Sequence, residues 1–135
     1  MTIISADESK MVNTGTSDTL RALYSTAFTL LKEKGNEIKL GLEFLKTGNC
    51  TVEQTGETLK QLKTIKKELS SFKPDEAVYD YRNPKKEAPW KDNISNDVTS
   101  CADLFTTDDG KDLLLELIDM LAYTSSKGIA IEVLG

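Results

Sequence analysis

The sequence contains no histidine, and this absence removes several classes of function at once. Histidine is the commonest general base, the usual metal ligand and the side chain that titrates near neutral pH. The two cysteines, Cys50 and Cys101, therefore lack the partner that would activate a catalytic thiol. We predict that the protein is not an enzyme and uses neither a cofactor nor a metal. A carboxylate-based enzyme stays open as an alternative, and it would need a pocket with converging acids.

Long apolar runs are also absent. No run approaches the ~20 residues that cross a bilayer, and residues 1–10 lack the basic start and apolar stretch of a signal peptide. We therefore predict a cytoplasmic protein with no membrane partner. In that reducing compartment Cys50 and Cys101 are expected to be free thiols.

Positive charge is scarce in the last third of the chain. Residues 92–135 contain nine acids and two lysines, a formal charge of −7, whereas residues 1–91 sum to +2. The overall charge of −5 argues against nucleic acid as a direct ligand, because phosphate binding relies on clustered Lys and Arg. The asymmetry predicts a basic partner, or it serves solubility.

Apolar residues recur at helical spacing in four segments, and each segment is followed by Gly or Pro. Thr51 to Gln54 has the spacing of a capping box, with Val52 facing inward, and Ser17 is a candidate cap of the first helix. Gly35, Gly48 and Gly128 are candidate left-handed helix ends. The predicted helices are residues 18–34, residues 37–46, a long helix after Thr51 that Pro74 stops, and residues 110–126.

Three segments have the composition of strands: residues 1–6, 77–81 and 129–134. Residues 98–105 are ambiguous between a strand and a short helix. A chain of 135 residues is near the commonest domain size. We predict one α+β domain, residues 1–135, with a small β-sheet packed against three to four α-helices and an undecided strand order.

Two charged motifs have structural and functional interpretations. Four lysines on one helix face (Lys60, Lys63, Lys66 and Lys67) form either a solvated surface or an anion site. Residues 108–112 form either a turn with a helix cap or a cation loop, but they lack the ligand register of an EF-hand. We favour the structural interpretation of both.

Trp90 is the only tryptophan, and it stands between Pro89 and the pair Asp92 and Asn93. It either anchors a loop on the sheet or anchors an interface, since tryptophan is enriched among the residues that dominate binding energy. Three blocks around it, Phe72–Asp80, Pro89–Ser95 and Phe105–Leu113, together resemble the bacterial immunity protein 70 family. Two positions depart from the family pattern: Lys91 replaces a glycine and Asn96 replaces a proline.

The resemblance implies a cytoplasmic protein that binds and neutralises the C-terminal domain of a polymorphic toxin, for example in contact-dependent growth inhibition. Many such toxins are nucleases, and nucleases are basic because their Lys and Arg side chains bind phosphates. We therefore expect a basic nuclease as partner, and the oligomeric state stays open. The alternative function is a non-catalytic regulatory or adaptor module that binds a basic protein. The predicted partner-binding residues are Trp90, Asp92, Asn93, Asp97, Asp103, Asp108, Asp109 and Asp112.

Overall fold

The sheet brings together residues from near both ends of the sequence in the computed structural model, which describes residues 1–134. Its strands are β1 (Thr2–Ser5), β2 (Met11–Asn13) and β3 (Ile131–Leu134), and β1 lies in the middle. Both pairings are antiparallel, with Ile3 opposite Val12 on one side and Val133 on the other. The strands predicted at residues 1–6 and 129–134 are therefore confirmed.

Four α-helices occur in the described part of the chain, and with the sheet they confirm the α+β class. They are α1 (Ser17–Leu30), α2 (Lys39–Thr47), α3 (Thr55–Leu69) and α4 (Leu113–Lys127). Gly48 and Gly128 end α2 and α4 with φ of 79° and 67°, as predicted. Within residues 1–134 no helix is both long enough and apolar enough to span a bilayer.

Several predicted helix boundaries are wrong. Ser17 lies inside α1, and Gly35 has a right-handed φ of −47° after a 3-10 turn, so it is not a left-handed stop. The Thr51 side chain makes no capping bond, and α3 begins only at Thr55. Val52 faces outward and is 45% exposed, because it lies in a separate 3-10 turn out of phase with the buried stripe of α3.

The core forms where α3 packs along α4, with α1 and the central strand completing it. Leu62 and Ile65 of α3, Leu117 of α4, Leu23 of α1 and Ile3 of β1 are fully buried. Burial of such a side chain contributes about 1.5–3 kcal/mol relative to exposure. These residues form the core on which the rest of the chain packs.

Residues 70–112 form a long irregular segment with a single 3-10 turn at Pro74–Glu76. The strand predicted at residues 77–81 is absent, and residues 98–105 are neither strand nor helix. The reason lies in Thr26 of α1: its hydroxyl donates to the Val78 carbonyl and accepts from the Val78 N–H, both at 3.0 Å. A buried side chain thus takes the place of a neighbouring strand.

Both cysteines are buried free thiols, as predicted. Cys50 exchanges two backbone hydrogen bonds with Ile131 and so covers part of the β3 edge. Burial, and then the nearby acids Glu76, Asp75 and Asp103, raises the pKa of Cys101 to about 12. Its thiol donates to the Lys73 carbonyl at 3.1 Å, which ties the later part of the irregular segment to its beginning.

Candidate functional site

A groove of about 460 Å³ lies between the first turn of α1 and the irregular segment. Trp90 lines the groove and meets Tyr79 and Phe105 edge to face, with ring centroids 5.6 Å apart in both pairs. Such aromatic pairs contribute about 0.5–1.5 kcal/mol beyond their burial. We call this depression the aromatic groove; its other apolar lining residues are Pro89, Ile94, Val98 and Leu104.

The start of α1 contributes part of the polar lining of the aromatic groove. Asp18, in the first turn, is the one charged side chain among the groove-lining residues that the structure describes. The Tyr79 hydroxyl donates to Asp18 Oδ2 at 3.4 Å. An acidic residue in the first turn of a helix complements the positive end of the helix dipole. The groove therefore combines an apolar wall with one exposed anion.

Five of the eight predicted partner-binding residues lie at or next to the aromatic groove. Trp90 and Asn93 line it, and the exposed Asp92 and Asp97 precede the lining residues Asn93 and Val98. Asp108 lies beside the turn before α1, since its Oδ1 would be 3.5 Å from a Cβ placed at Gly15. Trp90 is half-buried against the core. It thus holds the loop in place and also presents its ring to the groove.

Asp109 contributes to a smaller groove of about 250 Å³ beside β2, together with Asp108 and Glu116. The Thr107 hydroxyl donates to Asp109 and holds the pKa of that carboxyl below its usual range. The Lys111 ammonium also lies 3.6 Å from Asp109. This carboxylate is therefore already partnered within the chain.

Asp103 and Asp112 are also used internally. Asp112 caps α4 by accepting from the Leu115 N–H at 3.1 Å, and it lies 3.6 Å from the Lys66 ammonium. This geometry confirms that residues 108–112 form a turn with a helix cap. It also gives Lys66, one of the four stripe lysines, an ion-pair partner.

Asp103 closes the turn that precedes it. Its carboxylate accepts from the backbone N–H groups of Thr99 at 3.1 Å and Ser100 at 2.9 Å, and from the Thr99 hydroxyl at 2.9 Å. Burial alone would raise the pKa of Asp103, but these hydrogen bonds outweigh it and the net pKa is lowered.

Asp103→Asn is expected to lower the free energy of unfolding by about 1–2 kcal/mol at pH 7, the scale of a lost capping carboxylate. Because the folded pKa is depressed, the stabilisation is present above the unfolded pKa of about 3.9 and is lost as pH falls through the folded pKa. Urea unfolding of both proteins between pH 7 and pH 3 measures this. A difference that stays constant over the whole range would contradict it.

Sequence reasoning missed the groove residues Asp18, Tyr79 and Phe105 as parts of one site. The sequence places Asp18 next to the candidate cap Ser17, and it places Tyr79 in the strand predicted at residues 77–81. Their meeting with Trp90 depends on how the irregular segment crosses α1. No local pattern carries that information.

A family model described as Immunity protein 70 matches residues 5–133, which is nearly the whole chain. The chain belongs to the immunity protein 70 family. This immunity protein is of the polymorphic-toxin type, so its partner is a cognate toxin that it neutralises, and the family points to a binding role. Comparisons with curated proteins and with solved structures found no match. The matched range includes the aromatic groove and all eight predicted partner-binding residues.

Proposed function

We propose that this immunity protein neutralises a basic nuclease toxin by stoichiometric binding, with the acids around the aromatic groove as the contact surface. The observation that carries the proposal is the state of Asp92, Asp97 and Asp108. All three are exposed, and within residues 1–134 none of them has an ion-pair partner. They are available to lysine and arginine side chains of a partner.

A nuclease supplies the complementary surface. Its substrate is a chain of phosphates, so its binding face carries clustered Lys and Arg. An acidic inhibitor bound there excludes the nucleic acid and needs no catalytic group of its own. Complementary charge also raises association rates to about 10⁸–10⁹ M⁻¹ s⁻¹ at low salt. Fast association favours binding of the toxin before it cleaves nucleic acid. The proposal places this encounter in the cytoplasm and treats residues 1–135 as one domain.

Trp90 is proposed as the anchor of the contact, with Asn93 as a hydrogen-bonding neighbour. Large aromatic side chains near the centre of an interface commonly dominate its binding energy, and surrounding charges set orientation and rate. We assign a structural role to Asp103, Asp109 and Asp112, because each of them already accepts hydrogen bonds that hold the loop or α4 in place.

The test is co-expression with the toxin domain encoded beside this protein, followed by pull-down, a growth assay and a nuclease assay of the purified toxin. Wild-type protein at one equivalent should stop the nuclease. Single reversals Asp92→Lys, Asp97→Lys and Asp108→Lys should each weaken affinity by about two- to tenfold and reduce its salt dependence, because an exposed ion pair is lost in each case.

Asp119→Lys is the matched control, because Asp119 is an exposed acid on α4 that lines neither groove. Its affinity for the toxin should stay close to wild type. Equal effects of all four reversals would refute the contact surface. A toxin domain without nuclease activity would refute the proposed toxin class.

A further inference from the structure

The aromatic groove has a composition that selects one kind of side chain. Its lining combines aromatic and aliphatic side chains with threonine, serine and asparagine, and Asp18 is the single charged group among the described lining residues. We infer that the groove receives an arginine side chain of the toxin, with the guanidinium on the Asp18 carboxylate and the stem against Trp90 and Phe105. This inference rests on the proposed function and names the chemistry of the partner at its centre.

The choice of arginine follows from the two surfaces that meet in the groove. A guanidinium is planar, stacks on aromatic rings and pairs with a carboxylate through two parallel hydrogen bonds. A lysine ammonium is a compact, strongly hydrated charge that uses the apolar wall less well. The volume of about 460 Å³ lies within the roughly 300–1,000 Å³ range of ligand sites, so a long side chain has room.

The protein already shows that this aromatic cluster attracts cations. The Lys86 ammonium lies 5.5 Å from the Tyr79 ring centroid, within the distance at which the ring quadrupole attracts positive charge. Lys86 does not line the aromatic groove, and the described lining includes neither lysine nor arginine. The described lining residues therefore supply no cation of their own, although the Lys86 ammonium lies over the ring of one of them, Tyr79.

The surroundings add attraction at longer range. Asp92, Asp97 and Asp108 flank the groove and are exposed without ion-pair partners within residues 1–134. Acidic residues next to a groove favour the approach of a positively charged group. Two lysines lie close by: the Lys91 ammonium is 2.9 Å from the Glu87 carboxylate, and the Lys86 ammonium lies over the Tyr79 ring.

The experiment is a double-mutant cycle with the purified toxin domain. Affinity is measured for wild type, Asp18→Asn and the control Asp119→Asn, each against the toxin and against single Arg→Gln variants of it. Asp18→Asn should weaken binding about tenfold or more, because the guanidinium loses its counter-ion, whereas the control should change affinity less than twofold. One Arg→Gln variant should lose affinity for wild type but not for Asp18→Asn.

Three outcomes separate the two ideas. If the wild-type protein does not bind the toxin domain at all, the proposed function fails. If it binds and Asp18→Asn binds equally well, the arginine site fails while the proposed function stands. If Asp18→Asn weakens binding but couples to no toxin arginine, the assigned occupant is wrong. Circular dichroism shows whether Asp18→Asn is folded. The variant Tyr79→Phe keeps the ring but removes the hydrogen bond to Asp18. Together these controls distinguish the loss of the Asp18 charge from a loss of folding.

Discussion

Thr26→Val is expected to lower the free energy of unfolding by about 2–5 kcal/mol, although the two side chains have nearly the same shape and helix propensity. The Thr26 hydroxyl is completely buried and serves both the N–H and the C=O of Val78. Valine leaves these two buried backbone groups without a partner, and each unsatisfied group costs about 1–3 kcal/mol. Urea unfolding at pH 7 measures the change.

Thr26→Ser is the matched control, because it keeps the hydroxyl and removes only a methyl group. It should cost about 1 kcal/mol, the transfer free energy of that group. A serine variant as unstable as the valine variant would show that packing, and not hydrogen bonding, holds Val78. Because Tyr79 follows Val78, the valine variant should also bind the toxin more weakly than its lost stability alone explains.

Gly48→Ala is expected to lower the free energy of unfolding by about 2–5 kcal/mol, for two reasons that add. Gly48 ends α2 with φ of 79°, where an L-residue costs about 1–2 kcal/mol. A Cβ at this position would also lie 2.6 Å from Val133 Cγ2 and 3.1 Å from Met1 Cε. The edge of the sheet would have to move, and overpacking of this kind costs about 1–3 kcal/mol.

Gly110→Ala separates the two contributions to this cost. Gly110 has φ of 83°, but a Cβ there would have no neighbour within 4 Å. The free energy of unfolding of its alanine variant should therefore fall only by the cost of an L-residue at positive φ, about 1–2 kcal/mol. Thermal or urea unfolding of both variants gives the difference. If Gly110→Ala proved as destabilising as Gly48→Ala, the close approach of α2 to β3 would not matter.

The helices were predictable because their apolar spacing is strong. In α4, Leu113, Leu117 and Leu121 follow one another at intervals of four, and all three are completely buried. The sequence does not reveal the strand β2, because its three residues cover little more than one cycle of the two-residue strand repeat and only Val12 is buried. Periodicity identifies elements that are long enough to bury the same face several times.

The segment at residues 77–81 shows why composition alone misleads. Val78, Tyr79 and Tyr81 are typical of strands, but strand propensity measures fit to a half-buried surface, not a hydrogen-bonding partner. Here that surface is α1: the Tyr81 ring lies edge-on to Tyr24 at 5.4 Å and to Phe28 at 5.5 Å. The single buried hydroxyl of Thr26 then replaces a whole ladder, and the sequence does not mark it.

The candidate site was predictable in part, on the same physical grounds. Trp90 and its flanking acids stand together in the sequence and were identified from it. The sequence does not show which carboxylates accept hydrogen bonds within the chain. Asp103 and Asp112 differ from Asp92 and Asp97 only in the backbone N–H groups that the fold brings to them. Asp18 joins the site through tertiary contact alone.

The separation between the buried core and the exposed loop after Trp90, which we propose contacts the toxin, has a consequence for how such a protein can diversify. Lys91 and Asn96, the two departures from the family pattern, are both exposed in the loop after Trp90. Exposed substitutions usually change stability by no more than about 0.5 kcal/mol. Under the proposed contact surface, substitutions at such positions can alter toxin specificity without unfolding the helices and the sheet, so that inhibitor and toxin can evolve together.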